Sequence, residues 1–427
     1  MYYHSTRNAE QHYTLAQAIT AGLAPDGGLF VPDHFPKFDI AQFTPDLTYA
    51  TFAELVLQPF FQGDVLAPSL PTFCLQAFNF PVPLTSINDN TLMLELFHGP
   101  TSSFKDFGAR FLAECLTSLS KQQKTLIMVA TSGDTGSAVA SAFYLKPNTQ
   151  VVILYPKDQI STRQKQQITC WDTNIIALEV EGTFDDCQRL VKASFQDKNR
   201  NAQWHISSAN SINIGRLLPQ VVFYAYASMQ FYFQQKKSVG FIIPTGNLGN
   251  ATSAYWAQQL GFPIREIALA TNANVVIPDY LNTGEFHPRP SMMTLANAMD
   301  VGNPSNFERL HYLFPDFTDF KSHVSAISAS NEDIQKMIVS VYHNYHKMIC
   351  PHTATGFYAR TSMSEEPWII AATADPSKFD TIIEPLLHTA VPVAPALQTL
   401  LERKSVTQII KPSLEAIASC IPAAWNA

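Results

Sequence analysis

The sequence predicts an α/β protein whose sheets are mostly parallel. From about residue 120 onwards, short apolar segments alternate with amphipathic segments, and small polar residues connect the two kinds. Apolar strands that alternate with helices are typical of βαβ units, in which helices cover both faces of a parallel sheet. Such sheets bind ligands beyond the carboxyl ends of their strands. Each strand-to-helix loop is therefore a candidate site.

The alternation can be followed element by element. The predicted strands are, in order, TLIMVAT, QVVILYP, TNIIALEVEG, WHISSAN, VGFIIPT, EIALATN and WIIAATA. The predicted helices are SAVASAFYL, STRQKQQITC, FDDCQRLVKASF, INIGRLLPQVVFYAYASMQFYF, ATSAYWAQQL and NEDIQKMIVSVYHNYHKMI. Short hydroxyl and carboxylate side chains favour helix N-caps. Ser161 therefore suits the start of the second helix, and Thr183 or Asp185 suits the start of the third.

The length of 427 residues predicts two or three domains. The first part of the chain is punctuated by prolines, which predicts an N-terminal region over residues 1–80. An α/β domain is expected over residues 81–235, carrying Lys105 and the SGDTG loop. A second α/β domain is expected over residues 236–427, carrying the GNLGN loop and Thr373.

Composition excludes several classes of function. The net charge is −7 and no basic run occurs, so nucleic-acid binding is not expected. Six scattered cysteines lack zinc-site spacing, which predicts free thiols in a reducing compartment, the cytoplasm. The apolar segment 217–233 contains Pro219, Gln220 and Gln230, so a buried core helix is favoured over a membrane span. The N-terminus lacks the apolar core of a secretory signal.

The segment IIPTGNLGNATSAYW, residues 242–256, predicts a phosphate-binding loop. A strand ends there, Gly246 and Gly249 bracket two residues, and a helix rich in small residues begins near Ala251. Glycines allow a ligand to approach the backbone, and a helix start offers unpaired N–H groups and a positive dipole end. The segment matches neither the Walker pattern nor G-x-G-x-x-G. The alternative is a glycine turn that binds nothing.

The segment MVATSGDTGSAVA, residues 128–140, has the same strand, loop and helix order. Its loop offers several hydroxyl and N–H donors in one turn, which suits a carboxylate or phosphate of a small substrate. The loop residues are Ser132, Gly133, Asp134, Thr135 and Gly136. The alternative is a loop whose polar side chains only cap the following helix.

The segment SSANSINIGRLLPQ, residues 207–220, suggests a second anion site. A strand ends near Asn210, Ser211 and Asn213, and Arg216 follows within the first turn of the next helix. The guanidinium fork binds phosphate bidentately, and amides add further donors. The alternative is an arginine that faces solvent at the start of a helix.

The segment HGPTSSFKDFGAR, residues 98–110, places Lys105 between Phe104 and Asp106 behind three hydroxyl residues. A lysine in a partly apolar pocket has its ammonium form disfavoured, so its amine can form a Schiff base and act as a base. Thr373 lies at the end of a predicted strand, where a lone hydroxyl does not by itself indicate a function. Together, the lysine, the anion loop and the hydroxyl suggest pyridoxal phosphate as the cofactor.

These motifs, taken together, resemble the threonine synthase family. The segments that carry the resemblance are TSSFKDFGARF, ATSGDTGSA, PTGNLGN, STRNAEQHYTLAQAITAGLAPDGGLFVP and AMDVGNPSNFERL, which span most of the chain. The family consists of fold-type-II pyridoxal-phosphate enzymes related to the tryptophan synthase β subunit. The resemblance therefore implies two open, mostly parallel-sheet domains plus an N-terminal region, with the cofactor between the domains.

The resemblance also implies a role for each motif residue. Lys105 would be the Schiff-base lysine and would transfer most protons. The other expected cofactor-binding residues are Asp134, Gly246, Asn247, Leu248, Gly249, Asn250 and Thr373, and the expected substrate-binding residues are Ser132, Gly133, Thr135, Asn210, Ser211, Asn213 and Arg216. Thr373 would face the pyridine nitrogen, and Asp134 the phenolic oxygen. Many relatives in the wider fold carry asparagine where this chain has Asp134. The carboxylate of Asp134 would raise the local negative charge.

The implied reaction converts O-phospho-L-homoserine and water into L-threonine and phosphate, the last step of threonine biosynthesis. The expected enzyme acts on this small molecule in the cytoplasm as a monomer or homodimer, without a metal. Three alternatives remain from the residues alone. They are a lyase that eliminates phosphate without hydration, a non-catalytic cofactor-binding protein, and a protein that binds a phosphorylated metabolite without a cofactor.

Overall fold

A computed structural model of the chain describes residues 1–120, 124–196 and 205–421. Its strands are β1 Tyr3–Ser5, β2 Asn8–Tyr13, β3 Phe30–Pro32, β4 Leu84–Asn88, β5 Thr91–Glu95, β6 Thr125–Ala130, β7 Thr149–Pro156, β8 Ile175–Val180, β9 His205–Ser208, β10 Val239–Pro244, β11 Ile264–Thr271, β12 Ser325–Ser328, β13 Trp368–Ala372 and β14 Gln408–Ile410. They form one three-stranded sheet, one six-stranded sheet and one five-stranded sheet.

The described helices cover the faces of these sheets. They are α1 Leu15–Ala21, α2 Tyr49–Phe61, α3 Leu70–Ala77, α4 Lys105–Leu119, α5 Asp134–Phe143, α6 Thr162–Thr169, α7 Phe184–Gln196, α8 Ile214–Gln235, α9 Gly249–Gln259, α10 Val276–Thr283, α11 Phe307–Leu313, α12 Phe317–His323, α13 Asn331–Tyr345, α14 Pro351–Arg360, α15 Asp380–Leu387, α16 Pro395–Leu401 and α17 Leu414–Cys420. Short 3-10 turns occur at Ile40–Gln42, Ala67–Ser69, Asn297–Met299 and Pro376–Phe379.

The five-stranded sheet is entirely parallel, with the strand order β14-β8-β7-β6-β9. Every residue of β6 and β7 is buried, as expected for inner strands of a sheet that helices cover on both faces. The strand predicted as WHISSAN is observed from His205 onwards, and its Trp204 lies outside the described residues.

The six-stranded sheet has the order β12-β11-β10-β13-β5-β4. Its strands are parallel except that β4 pairs with β5 in antiparallel orientation. Strands β10 and β13 are fully buried, which explains why their sequences are continuous apolar runs. The two large sheets confirm the α/β fold class and all seven predicted strands.

The two large sheets are interleaved along the chain. β4 and β5 precede the five-stranded sheet in sequence but pair within the six-stranded sheet, whereas β14 crosses back to pair with β8. Each sheet therefore takes strands from both sides of residue 236. The domain boundaries expected from the sequence stay a prediction.

The N-terminal region contains an antiparallel sheet that the sequence analysis did not predict, with the order β2-β1-β3. Its strand β2 is NAEQHY, in which all residues but Tyr13 are exposed, so no apolar alternation marks it. Helices α2 and α3 complete the region and pack against α8 and α4.

The long helix α8 confirms the prediction of a buried core helix. Most of its 22 residues are buried, and it packs between α4, α9 and α2. Among the described residues, no helix is long and apolar enough to cross a membrane.

Candidate active site

One cavity lies where the loops of the two parallel sheets meet. Loops that follow β6 and β9 face loops that follow β10 and β13, and the start of α4 completes the wall. This is the carboxyl edge at which open α/β sheets bind ligands. The predicted site residues that line the cavity are Lys105, Ser132, Asp134, Thr135, Asn210, Ser211, Arg216, Gly246, Asn247, Gly249, Asn250 and Thr373.

Three predicted site residues do not line the cavity, namely Gly133, Leu248 and Asn213. Gly133 has a φ of 136° and packs against Gln164, so it shapes the loop. Leu248 turns its buried side chain into the core. Of these three residues, Asn213 differs most from its predicted role, which was to bind the substrate.

The Asn213 side chain is fully buried and serves as the N-cap of α8. Its Oδ1 accepts from the Gly215 N–H at 2.9 Å, while its Nδ2 donates to the carbonyls of Ile19 and Ser208, each at 2.9 Å. All of its polar atoms are therefore used inside the protein. Asparagine is both a good N-cap and a good ligand residue, so sequence alone could not separate these roles.

The loop before α9 has the geometry of an anion cup. Its N-cap is Leu248, whose φ of 61° is left-handed, and no side chain caps the helix. A non-glycine residue in this conformation costs about 1–2 kcal/mol, which the surrounding packing must offset. A Cβ at Gly246 would lie 2.7 Å from the Cα of Met299, so only glycine fits there. The Ala251 N–H donates to Oδ1 of Asn250 at 3.0 Å, which leaves the N–H groups of Gly249 and Asn250 at the start of α9 for a ligand.

Asn250 holds the cup in place. Its Oδ1 accepts from the Thr245 hydroxyl at 2.7 Å, and its Nδ2 donates to the Pro244 carbonyl at 2.9 Å. These bonds tie the first turn of α9 to the end of β10. Asn250 is thus a loop-shaping residue at the cavity wall.

Lys105 is the first residue of α4, and its side chain enters the cavity. Burial lowers its pKa to about 8, and the positive charges of Arg216 and Lys378 act in the same direction, whereas Asp134 opposes them. A substantial fraction of the amine is therefore neutral near physiological pH, as the sequence analysis expected. The Phe104 N–H donates to the Thr373 carbonyl at 2.9 Å, which places the lysine beside the end of β13.

Asp134 begins α5 and carries a buried carboxylate. Its Oδ1 lies 2.7 Å from Nζ of Lys378 and accepts from Nε2 of Gln164 at 3.1 Å. Burial raises the pKa of Asp134, but the charges of Lys378 and Lys105 outweigh it and hold the pKa well below its usual range. The carboxylate is therefore ionised at neutral pH.

Arg216 lies in the first turn of α8 and is almost completely buried. Its Nη1 donates to the Ala209 carbonyl, and its Nε has no partner among the described residues. Burial lowers its pKa to about 10. No ion pair joins Arg216 to a carboxylate in the part of the chain that the structure describes. An unpaired guanidinium at a cavity wall is suited to bind an anion.

Ser211 connects the two sheets at the cavity. Its Oγ accepts from Nδ2 of Asn247 at 2.7 Å and from Nδ2 of Asn306 at 3.2 Å. Buried Arg309 donates to the Ser211 carbonyl at 3.1 Å and to Oδ1 of Asn306 at 2.7 Å. The segment AMDVGNPSNFERL thus supports both the β9 loop and the β10 loop.

His352, at the start of α14, lines the cavity but was missed by the sequence analysis. Burial lowers its pKa to about 4, so the imidazole is neutral. Its Nε2 accepts from the Ala298 N–H at 3.1 Å, which places the ring proton on Nδ1. No strand precedes α14 directly, so the strand-to-helix rule gave no signal there.

Lys378 and Gln164 were also missed, although Lys378 lies only five residues after Thr373. His98, by contrast, does not line the cavity, and its Nε2 lies 2.8 Å from Oε2 of Glu95.

The residues of this cavity fit pyridoxal phosphate. An amine that is partly neutral, an anion cup on α9 and a hydroxyl residue at the end of β13 line the same space. The orphaned Nε of Arg216 adds a donor for a second anion. The donor set thus accommodates a phosphorylated aldehyde together with an anionic substrate.

Comparison with known proteins agrees with this chemistry. A family model for pyridoxal-phosphate dependent enzymes matches residues 78–367, and one for the threonine synthase N terminus matches residues 2–78. A threonine synthase from Haemophilus influenzae is 37% identical over 401 residues, which cover 92% of this chain and 93% of that protein. The chain belongs to the threonine synthase family.

Solved structures of the threonine synthase family share the whole fold. The Escherichia coli threonine synthase superimposes with a TM-score of 0.92 at 32% identity, covering 98% of this chain and 99% of that one. A threonine synthase from Brucella melitensis with PLP bound gives a TM-score of 0.90 at 32% identity, with 98% of both chains covered. This member of the threonine synthase family therefore has the fold-type-II architecture, uses pyridoxal 5'-phosphate and functions as a lyase.

Proposed function

We propose that the protein converts O-phospho-L-homoserine and water into L-threonine and phosphate by γ-elimination followed by β-hydration. The observation that carries the proposal is the pairing of Lys105 with two separate anion-binding elements in one cavity, the cup on α9 and the guanidinium of Arg216. One anion site suits the cofactor phosphate, and the other suits a phosphorylated substrate. Membership of the threonine synthase family supports this assignment.

The cofactor would be held by three elements of the cavity. Lys105 would bind its aldehyde, the loop from Gly246 to Asn250 its phosphate, and Thr373 its ring nitrogen. The positive end of α9 favours the phosphate, and the glycines allow its close approach. When bound, pyridoxal phosphate withdraws electrons from the α carbon of the substrate.

The substrate would be held by the loops that follow β6 and β9. Ser132 and Thr135 would bind the substrate carboxylate, with Gly133 holding the loop in its left-handed turn. Asn210, Ser211 and Arg216 would bind the substrate phosphate. Asn213 would act indirectly, because its side chain fixes the start of α8 and so the position of Arg216.

Lys105 would perform most of the proton transfers. Because its pKa is lowered to about 8, the released amine can accept the α proton and later return a proton to the γ carbon. Neutral His352 lines the cavity but uses its Nε2 to accept from Ala298, so it is less available as a base. This leaves Lys105 as the main proton carrier.

We propose further that the enzyme acts in the cytoplasm as a monomer or homodimer. The six cysteines are all free, and five of them are buried, which suits a reducing compartment. Native mass spectrometry would establish the number of subunits.

The function is tested by measuring both products together. Purified protein is incubated with O-phospho-L-homoserine, and phosphate and threonine are quantified, with Lys105→Ala as the control. Equal amounts of both, lost in the variant, are expected. Phosphate with a keto acid and no threonine would instead identify a lyase without hydration. Neither product, from protein that still binds the cofactor, would identify a non-catalytic binding protein.

A further inference from the structure

Lys378 is completely buried, which is unusual for a lysine. It lies in the 3-10 turn Pro376–Phe379, which follows β13 of the six-stranded sheet. Its Nζ lies 2.7 Å from Oδ1 of Asp134 and donates to the Thr101 carbonyl at 3.0 Å. Asp134 begins α5, the helix that follows β6 of the five-stranded sheet. The ion pair therefore joins the site loops of both sheets beside the segment that leads to Lys105.

Neutral partners complete the surroundings of the pair. Gln164 donates to Asp134 through Nε2 at 3.1 Å, and its Oε1 accepts from Nδ2 of Asn297 at 3.0 Å. The Thr101 carbonyl also accepts from Nε2 of Gln167 at 3.0 Å. Apart from Lys378, the carboxylate thus has no cation in hydrogen-bond contact within the described residues.

Other titratable groups interact electrostatically with Asp134, with Lys378 or with Lys105 from the neighbouring elements. Lys105 and Asp106 lie at the start of α4, Arg216 on α8, and Cys350 and His352 at the start of α14. His352 is neutral because burial lowers its pKa, and burial raises the pKa of the Cys350 thiol to about 11. Neither group can therefore replace Lys378 as the counter-charge.

We propose that Lys378 is a positioning residue for Asp134, whose ammonium group keeps the carboxylate ionised and fixed so that the pair adds little net charge beside Lys105. The proposal explains how this chain tolerates an aspartate in its SGDTG loop. It rests on the proposed function only in that pyridoxal phosphate binds in this cavity.

The test is a pH titration of the bound cofactor in four proteins. Wild type, Lys378→Met, Asp134→Asn and the double variant are loaded with pyridoxal phosphate, and visible absorption is recorded from about pH 5 to 10. In Lys378→Met, Asp134 loses the cation that it contacts directly, and Lys105 is the remaining lysine whose charge opposes the effect of burial, so the pKa of the carboxyl rises and Asp134 takes up a proton as the pH falls. We expect a new titration step between about pH 5 and 8 in that variant.

The step should be missing from wild type and from the double variant, because neither contains an unpaired Asp134. A Lys378→Met protein that titrates like wild type would overturn the proposal. So would a step that persists in the double variant, because Asp134 could not be its source. Lys146→Met, which removes the cation of the distant Lys146–Glu114 pair, is the matched control and should titrate like wild type.

A folding failure also gives an answer. If Lys378→Met does not fold, the double variant should fold, since replacing both partners removes the unpaired buried charge. Failure of both would show a purely structural lysine and overturn the proposal. Cofactor absorption in wild type tests cofactor binding separately, and the product assay tests the reaction, so failure of either is distinguishable from failure of the titration.

Discussion

Gly108 of α4 packs directly against Arg216 of α8. A Cβ at Gly108 would lie 2.7 Å from the Arg216 carbonyl oxygen and 2.8 Å from its Nε. The absence of a side chain at residue 108 therefore sets how closely the two helices approach. Gly108 lies three residues after Lys105 on α4, and its contact with Arg216 also fixes the guanidinium group at the cavity wall.

The variant Gly108→Ala should weaken substrate binding while leaving the cofactor in place. Its methyl group must displace Arg216, and overpacking of this kind costs about 1–3 kcal/mol. We expect the KM for O-phospho-L-homoserine to rise about tenfold, with a smaller change in kcat. Steady-state kinetics measure both, and the cofactor absorption spectrum is the control. An unchanged KM would show that Arg216 does not contact the substrate.

Capture of pyridoxal phosphate by protein lacking it should depend on pH with a midpoint near 8. Only the neutral amine of Lys105 attacks the aldehyde, and burial lowers the pKa of this lysine to about 8. The capture rate should therefore rise as pH increases through that value. Stopped-flow absorption measures the rate, and Lys105→Ala should show none. A midpoint near the ordinary lysine value of about 10.4 would contradict the structure.

The variant Thr373→Asp should increase abortive formation of pyridoxamine phosphate. A hydroxyl can donate to a neutral pyridine nitrogen, whereas a carboxylate stabilises the pyridinium, which makes the ring a stronger electron sink. Chromatographic quantification of threonine and pyridoxamine phosphate gives the partition between them. Thr373→Ser, which keeps the hydroxyl, should partition like wild type. An unchanged partition in the aspartate variant would refute the role proposed for Thr373.

The variant Asn213→Ala should reduce stability more than a lost cap alone. Loss of an N-cap costs about 0.5–2 kcal/mol, and two further buried hydrogen bonds from Nδ2 are removed as well. Urea unfolding measures the loss, and Ser330→Ala, at the exposed cap of α13, is the matched control. If Asn213 instead bound substrate directly, the KM would rise while the unfolding midpoint stayed at that of the control.

Local patterns in the sequence were enough to predict the elements that carry the site. Buried parallel strands such as β7 are largely apolar runs, and Ser161 is the N-cap of α6 as expected. The small polar loops that follow β6 and β10 stand out between these strands and helices. Twelve predicted site residues consequently line one cavity.

The remaining features depend on contacts between distant parts of the chain. Nothing near Lys378 in sequence shows that its ammonium group contacts Asp134, because the two residues follow strands of different sheets, β13 and β6. The strand β2 is polar and exposed, so its pairing with β1 is visible only in three dimensions. Asn213 shows an error of another kind. The sequence analysis assigned it to substrate binding, whereas its side chain caps α8.

The interleaving of the two sheets determines when the enzyme can become complete during synthesis. Strand β5 ends at Glu95, but its parallel neighbour β13 begins only at Trp368. Thr373, which follows β13, leaves the ribosome after every other predicted site residue. The six-stranded sheet therefore stays divided between β10 and β5 until β13 is made, and a product truncated before β13 has neither a continuous sheet nor an assembled catalytic pocket.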